Sequence, residues 1–292
     1  MTNLTSLQYD TPGPIVGEFR LRNCCLNEAR NGRQYLRIYL EDLSCSVPAY
    51  IWQEDLYQRF YLPDHSLARI EGQSRYHRNL LRVDLSRIEP ISQKRAGDVV
   101  RLIPKSVCPL PGLLLALQDA ISQITIPALR HFAESVLAND GIAFAFVSAP
   151  ASLNHHHSYP GGLLRHSLES FHIVKNQKGF SRKDYELGLL SSLFHDIGKV
   201  LTMTHTMQRT SLGSSVEHDK LTFELLGPYL SRLERSWSPG AKELRYLLKW
   251  KIRREVPEYN IADLVACSDR LSAGFDMDQQ QRQKEDVFEP SQ

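Results

Sequence analysis

The apolar period changes once along this chain, near residue 112, and that change constrains the fold more than any other feature. Before it, side chains alternate. Glu18-Phe19-Arg20-Leu21-Arg22, Tyr35-Leu36-Arg37-Ile38-Tyr39-Leu40 and Leu81-Arg82-Val83-Asp84-Leu85 each repeat at a period of two, as half-buried strands do. Residues 47–52 and 67–71 are two further short strand candidates, and Asn31-Gly32 marks a hairpin turn. Five strands in about 80 residues, nearly all joined by short turns, predict a small closed β-barrel.

After residue 112 the apolar residues recur every three or four positions, the signature of helices packed on one face. Residues 113–124, 128–137, 162–174, 182–194, 220–233, 241–254 and 261–273 are the helix candidates. Residues 202–217 form a polar loop between two of them. The expected plan is a flexible N-terminus over 1–13, a barrel over 14–92, a linker over 93–112, a helical domain over 113–275 and a disordered polar tail over 276–292. That is an α+β multidomain chain. A length of 292 residues suits two domains.

Composition excludes several functions. With 35 Lys+Arg against 33 Asp+Glu, the chain is not polybasic, although a local basic groove remains compatible with that balance. Residues 1–105 carry 15 basic against 12 acidic side chains, so the barrel half is the mildly basic one. The five cysteines (Cys24, Cys25, Cys45, Cys108 and Cys267) are odd in number and show no C-x-x-C pairing. Reduced thiols in a cytoplasmic protein are therefore expected, without a disulfide framework or a zinc ribbon. No basic-then-apolar leader opens the sequence, and no apolar stretch approaches the ~20 residues that span a bilayer.

Histidine and aspartate placement in the helical half points to a metal. His166 ends Gly161-Gly162-Leu163-Leu164-Arg165-His166, and His195-Asp196 ends an apolar helix before Ile197-Gly198-Lys199. An aspartate at the C-terminal end of a helix meets the negative end of its dipole, and a divalent cation would compensate. His218 opens the next helix. For the last ligand, Asp263 is explained by its place at a helix start, near Asn260, where a carboxylate is favoured. Asp269 lies mid-helix with poor propensity and no capping role, and is the better candidate. Imidazole and carboxylate together suit Mn²⁺, with Fe²⁺, Mg²⁺ or Zn²⁺ as the other choices.

From about residue 126 to 275 the sequence resembles the HD-domain metal-dependent phosphohydrolases. His166, His195-Asp196 and Asp269 match the order of that family's motif, with His218 as an additional ligand. Within the family it is most similar to the YhaM-type 3′→5′ exoribonucleases, which join an N-terminal OB-fold to an HD domain. The stretch His156-His157-Ser158-Tyr159-Pro160-Gly161-Gly162-Leu163-Leu164-Arg165-His166 and the string His195-Asp196-Ile197-Gly198-Lys199 carry that likeness. The resemblance implies an OB-type barrel followed by an HD helical bundle. There is one departure. Two-metal members carry a further histidine between the positions of His218 and Asp269, where this chain reads Leu247-Leu248-Lys249-Trp250-Lys251-Ile252. Either one metal suffices, or Asp219 or Glu217 fills in.

The implied chemistry is metal-activated water attacking a phosphodiester, with Asp196 at its centre. Lys199 is the expected phosphate clamp and His157 a catalytic contact. His156, Arg165 and Arg270 are expected at the substrate. On the barrel, Tyr35, Tyr39 and Arg37 share one parity and, with Trp52, predict a face that stacks and neutralises a single strand. The expected partner is single-stranded nucleic acid, RNA before DNA, with no membrane and with homo-oligomer formation left open. Three alternatives stand beside this reading: an HD-type nucleotide phosphohydrolase, a conjugative-relaxase-like HD protein, and a non-catalytic nucleic-acid-binding module.

Overall fold

The computed structural model describes residue 4 and residues 12–57, 63–78, 80–92, 97–252 and 256–288, with backbone alone for residues 280 and 282–288. The chain forms two compact units, residues 1–107 and 108–292. The expected flexible N-terminus falls mostly outside the described residues, but Leu4 is buried and its N–H donates to Asp42 Oδ2 at 3.0 Å.

In the first unit, β1 (Pro14–Glu28), β2 (Gln34–Glu41), β3 (Ser46–Ile51), β4 (Leu67–His77) and β5 (Leu80–Pro90) close a barrel in the order β1-β2-β3-β5-β4. The pairs are antiparallel except β3 with β5, whose parallel contact closes the ring. This is the OB-type barrel expected above. Gly32 sits at φ +78° in the β1–β2 turn, a conformation that costs glycine no Cβ clash. Alternation sends Leu36, Ile38 and Leu40 into the core and leaves Tyr35, Arg37 and Tyr39 half-buried on the outer face. Phe19 of β1 is fully buried in the barrel.

The expected linker is corrected. Residues 93–96 lie outside the described residues, but Val99, Val100, Leu102 and Ile103 are buried. Arg20, itself buried, donates from Nε to the Leu102 carbonyl at 2.9 Å and from Nη1 to that of His65 at 2.7 Å. The segment is therefore part of the barrel unit. It lacks either apolar period because it is held as turns, stapled by a buried arginine.

The second unit is helical: α1 (Gly112–Gln123), α2 (Pro127–Ala138), α3 (Asp140–Ser148), α4 (Gly162–Lys175), α5 (Arg182–Phe194), α6 (His218–Ser236), α7 (Ser238–Lys249) and α8 (Ile261–Phe288). The core helix α5 packs against α4, α7 and α8. Ser181 caps it, its Oγ accepting from Asp184 N–H. The polar segment after residue 275 is not a separate disordered tail as far as it is described, because α8 continues to Phe288 and Asp276 is buried.

Glu186 ties two of these helices together. Its carboxylate accepts from the Thr125 and Ile126 N–H groups at 2.7 Å each, satisfying free donors at the start of α2. It also accepts from Thr125 Oγ1 at 2.6 Å and Arg182 Nε at 3.0 Å. Burial alone would raise its pKa, but these donors overcome it and hold the group below the ordinary glutamate value. Glu186→Gln is expected to cost about 1.5–3 kcal/mol at pH 7, the range for hydrogen bonds to a charged group. Because the folded pKa is depressed, that contribution is full above the unfolded value of about 4.3 and is lost as pH falls below it. Urea unfolding over a pH series from 7 downward checks this: the two proteins should differ at pH 7, and the gap should close as pH falls below the unfolded value and through the folded one.

Candidate metal centre and nucleic-acid interface

Two glycines set the approach to the candidate metal ligands. Gly161 takes φ +82° ahead of α4, and a Cβ on Gly162 would lie 2.0 Å from the His157 carbonyl oxygen. The preceding loop therefore folds tightly onto the start of α4, one turn before His166. At the other ligand pair, a Cβ on Gly198 would lie 2.1 Å from the His218 carbonyl oxygen. Its N–H donates to Thr222 Oγ1 at 3.0 Å, seating the first turn of α6 on the turn that follows Asp196. Gly198→Ala is expected to push His218 away from Asp196 and to cost about 3 kcal/mol by overpacking against backbone, read as a lowered urea midpoint.

His166 from α4, His195 and Asp196 from the end of α5, and Asp269 from α8 converge. His166 Nε2 lies 3.1 Å from His195 Nε2, 3.2 Å from Asp269 Oδ1 and 3.5 Å from Asp196 Oδ2. His195 Nε2 lies 3.5 Å from each of the same two carboxylate oxygens. Donors about 2.1 Å from one centre sit roughly 3.0 to 3.4 Å apart at octahedral and tetrahedral angles, so four such atoms match a shared cation.

The surrounding hydrogen bonds turn both imidazoles the right way. His195 Nδ1 donates to the Ser192 carbonyl at 2.9 Å. Ser272 Oγ donates to Glu169 Oε2 at 2.9 Å and so accepts from His166 Nδ1 at 3.0 Å. Each Nε2 is thereby left with its lone pair facing the cluster, the arrangement found behind metal-binding histidines. Burial would raise the Asp196 carboxyl, but the Lys199 ammonium and the surrounding His195, His166 and His218 side chains hold it well below the carboxylate range. Asp269 is likewise held low, its burial outweighed by His166 and His195. Both are therefore anionic, as ligands must be. Beside them, the His156 ring is 5.1 Å from that of His166, and its Nε2 is buried without a hydrogen-bond partner. Burial first, and then the neighbouring His166, Lys199 and His157, lowers its pKa to about 4, so it is a neutral donor. The donor set, its spacing and this orphaned nitrogen fit a divalent cation.

His218 joins the group from outside, its Nε2 3.2 Å from Asp196 Oδ1 and 3.2 Å from Asp219 Oδ1. Lys199 is brought to the cluster as expected, although its ammonium lies on Asp196 Oδ2 at 2.6 Å. A cleft of about 590 Å³ adjoins, lined by Lys199, His218, Asp219, His155 and Arg209. Arg209 and His155 were missed by sequence reasoning. Arg209 lies in the polar loop 202–217, ten residues after Lys199, where a lone arginine in a polar stretch was the available signal. Asp263 is not a ligand; it accepts from Trp250 Nε1 at 2.7 Å.

Three expectations are corrected. His157 is buried, at φ +46°, and spends both ring nitrogens internally. Nδ1 meets Tyr159 Oη at 3.0 Å and Asp276 Oδ1 at 3.2 Å, while Nε2 meets Glu169 Oε2 at 3.2 Å and Ser272 Oγ at 3.3 Å. It braces the loop rather than facing a substrate. Arg165 points toward Glu169, 3.9 Å away, and does not line the cleft. Arg270 is exposed on α8 and does not line it either.

On the barrel, Tyr35, Tyr50 and Trp52 form one aromatic cluster, with Tyr35 and Trp52 centroids 4.6 Å apart and Tyr50 stacked on Trp52 at 6.5 Å. Arginines interleave. Arg33 lies 5.4 Å from the Trp52 ring, Arg82 5.7 Å from Tyr50, and Arg37 and Arg22 5.8 and 5.7 Å from Tyr39. Tyr50 faces Arg37 across β2–β3.

With both sites described, known proteins give them a context. Residues 119–257 match the family model TraI_2, described as "Putative helicase". The 3′-5′ exoribonuclease YhaM of Bacillus pumilus is 20% identical over 214 residues, 71% of this chain and 68% of that protein. YhaM of Halalkalibacterium halodurans is 22% identical over 217 residues (71% and 66%), and that of Bacillus subtilis 19% over 192 residues (63% and 60%). The chain resembles the YhaM exoribonucleases. The matches span from 60% to 68% of those relatives' lengths. Among solved structures, the mitochondrial single-stranded DNA binding protein Rim1 of S. cerevisiae is 10% identical, covering 30% of this chain and 100% of that one at a TM-score of 0.26. Among the described residues, no helix is long and apolar enough to cross a membrane.

Proposed function

We propose that the protein is a metal-dependent phosphodiesterase that degrades single-stranded RNA from its 3′ end. The observation that carries this reading is the closed group His166, His195, Asp196 and Asp269 beside a cleft whose wall includes Lys199 and Arg209. The polarity and the choice of RNA follow the YhaM relatives. When bound, a divalent cation, Mn²⁺ first among the candidates, supplies a nucleophilic water near neutral pH and a Lewis acid for a phosphoryl oxygen. His166 and His195 hold their lone pairs inward through Ser272 and Ser192. Asp196 and Asp269 supply the anionic donors. Lys199 and Arg209 offer an ammonium and a guanidinium to the phosphate oxygens from the cleft wall. The barrel contributes affinity without sequence preference, through base stacking on Tyr35, Tyr50 and Trp52 and charge from Arg22, Arg33 and Arg37.

A substrate panel with Mn²⁺ tests this reading. 5′-labelled single-stranded RNA should shorten to a ladder from the 3′ end, faster than the DNA of the same sequence. Phosphate release from mononucleotides without shortening of RNA would replace it with a nucleotide phosphohydrolase. Tight RNA binding with no product under any divalent cation would replace it with a binding module.

A further inference from the structure

Asp196 turns its two oxygens to different neighbours. Oδ2 faces His166 and His195, and Oδ1 faces His218 at 3.2 Å, beyond which stands Asp219. A carboxylate bridging in this way is the core of many two-cation phosphodiesterase sites, whose ions stand about 3.5–4 Å apart. Here, however, the far side already carries an ammonium group, Lys251 Nζ lying 3.3 Å from Asp219 Oδ2. Lys199 Nζ adds a second positive charge to the shared carboxylate from the near side, 2.6 Å from Asp196 Oδ2. We propose that the centre holds one divalent cation per chain, and that Lys199 and Lys251 supply the positive charge a second cation would bring.

The donors favour this count. The four-atom group is largely buried, whereas the Asp196–His218–Asp219 group offers three protein donors, with Asp219 48% exposed. Lys251 stands where a further imidazole would complete that group. Its corner is pinned, since the adjacent Trp250 donates to Asp263 on α8, the helix that carries Asp269. Charge agrees. Asp196, Asp219 and Asp269 against Lys199 and Lys251 leave one negative charge. A single dication makes the centre singly positive, which complements one phosphodiester. A second would leave a triply positive site with like charges at contact distances, where repulsion is strong.

This inference rests on the metal-dependent reading of the site, and its test separates the two. Chelator-stripped protein is loaded with Mn²⁺, desalted and analysed for metal per chain, alongside calorimetric titration. The wild type should hold one ion, Lys251→His should hold two, and Asp219→Asn should still hold one. Two ions in the wild type, falling to one in Asp219→Asn, would overturn the proposal. Lys251→His remaining folded with one ion would overturn the role given to Lys251. No bound ion in any variant would overturn the metal-dependent reading itself.

Discussion

Asp196→Ala is expected to lower RNA turnover by on the order of a thousandfold or more, about 4 kcal/mol of transition-state stabilisation. The size follows from how much meets at this side chain. It faces His166, His195 and His218, each within 3.5 Å, and Lys199 at 2.6 Å. Removing it takes away one of four cation donors and leaves the Lys199 ammonium buried without its partner. Affinity for single-stranded RNA should change by less than about threefold, because the barrel face is untouched. Single-turnover rates and fluorescence anisotropy on the same oligonucleotide read both quantities. Full activity in the variant would remove the cluster from the chemistry.

The second large effect belongs to the barrel. Tyr35→Ala with Trp52→Ala is expected to weaken binding of a single strand by roughly 10- to 100-fold or more, at about 1–3 kcal/mol per lost base stack. These rings pack on each other at 4.6 Å on the outer face, and neither belongs to the buried core beneath them. The variant should therefore keep its fold. The loss should appear in KM for long RNA and leave kcat nearly unchanged, since the His166–His195–Asp196–Asp269 group lies in the other unit. A parallel Phe19→Ala change should instead cost about 3–5 kcal/mol of stability, as expected for a fully buried ring.

The contrast between Tyr35 and Phe19 shows what the sequence could express. Alternation assigned each strand its two faces, so Tyr35, Arg37 and Tyr39 were placed together correctly. It did not say which face of β1 was the core, and Phe19 went inward. Asp269 was legible because a carboxylate in mid-helix has no local reason to be there. His157 was not. Its burial depends on Glu169, Ser272 and Asp276, the last two more than a hundred residues away, and no local pattern carries that information. Helix α3 was also missed, because nine mostly apolar residues suit a strand or a helix equally. The segment after the barrel was taken for a linker since its buried residues follow neither period, their partner being an arginine some eighty positions earlier.

Anomalous diffraction from crystals soaked in Mn²⁺ locates the ion itself. A manganese peak is expected about 2.2 Å from His166 Nε2, His195 Nε2, Asp196 Oδ2 and Asp269 Oδ1, lost in Asp196→Ala together with turnover. Hydrolysis of RNA by the same Mn²⁺-saturated protein with no peak among these four atoms would contradict it.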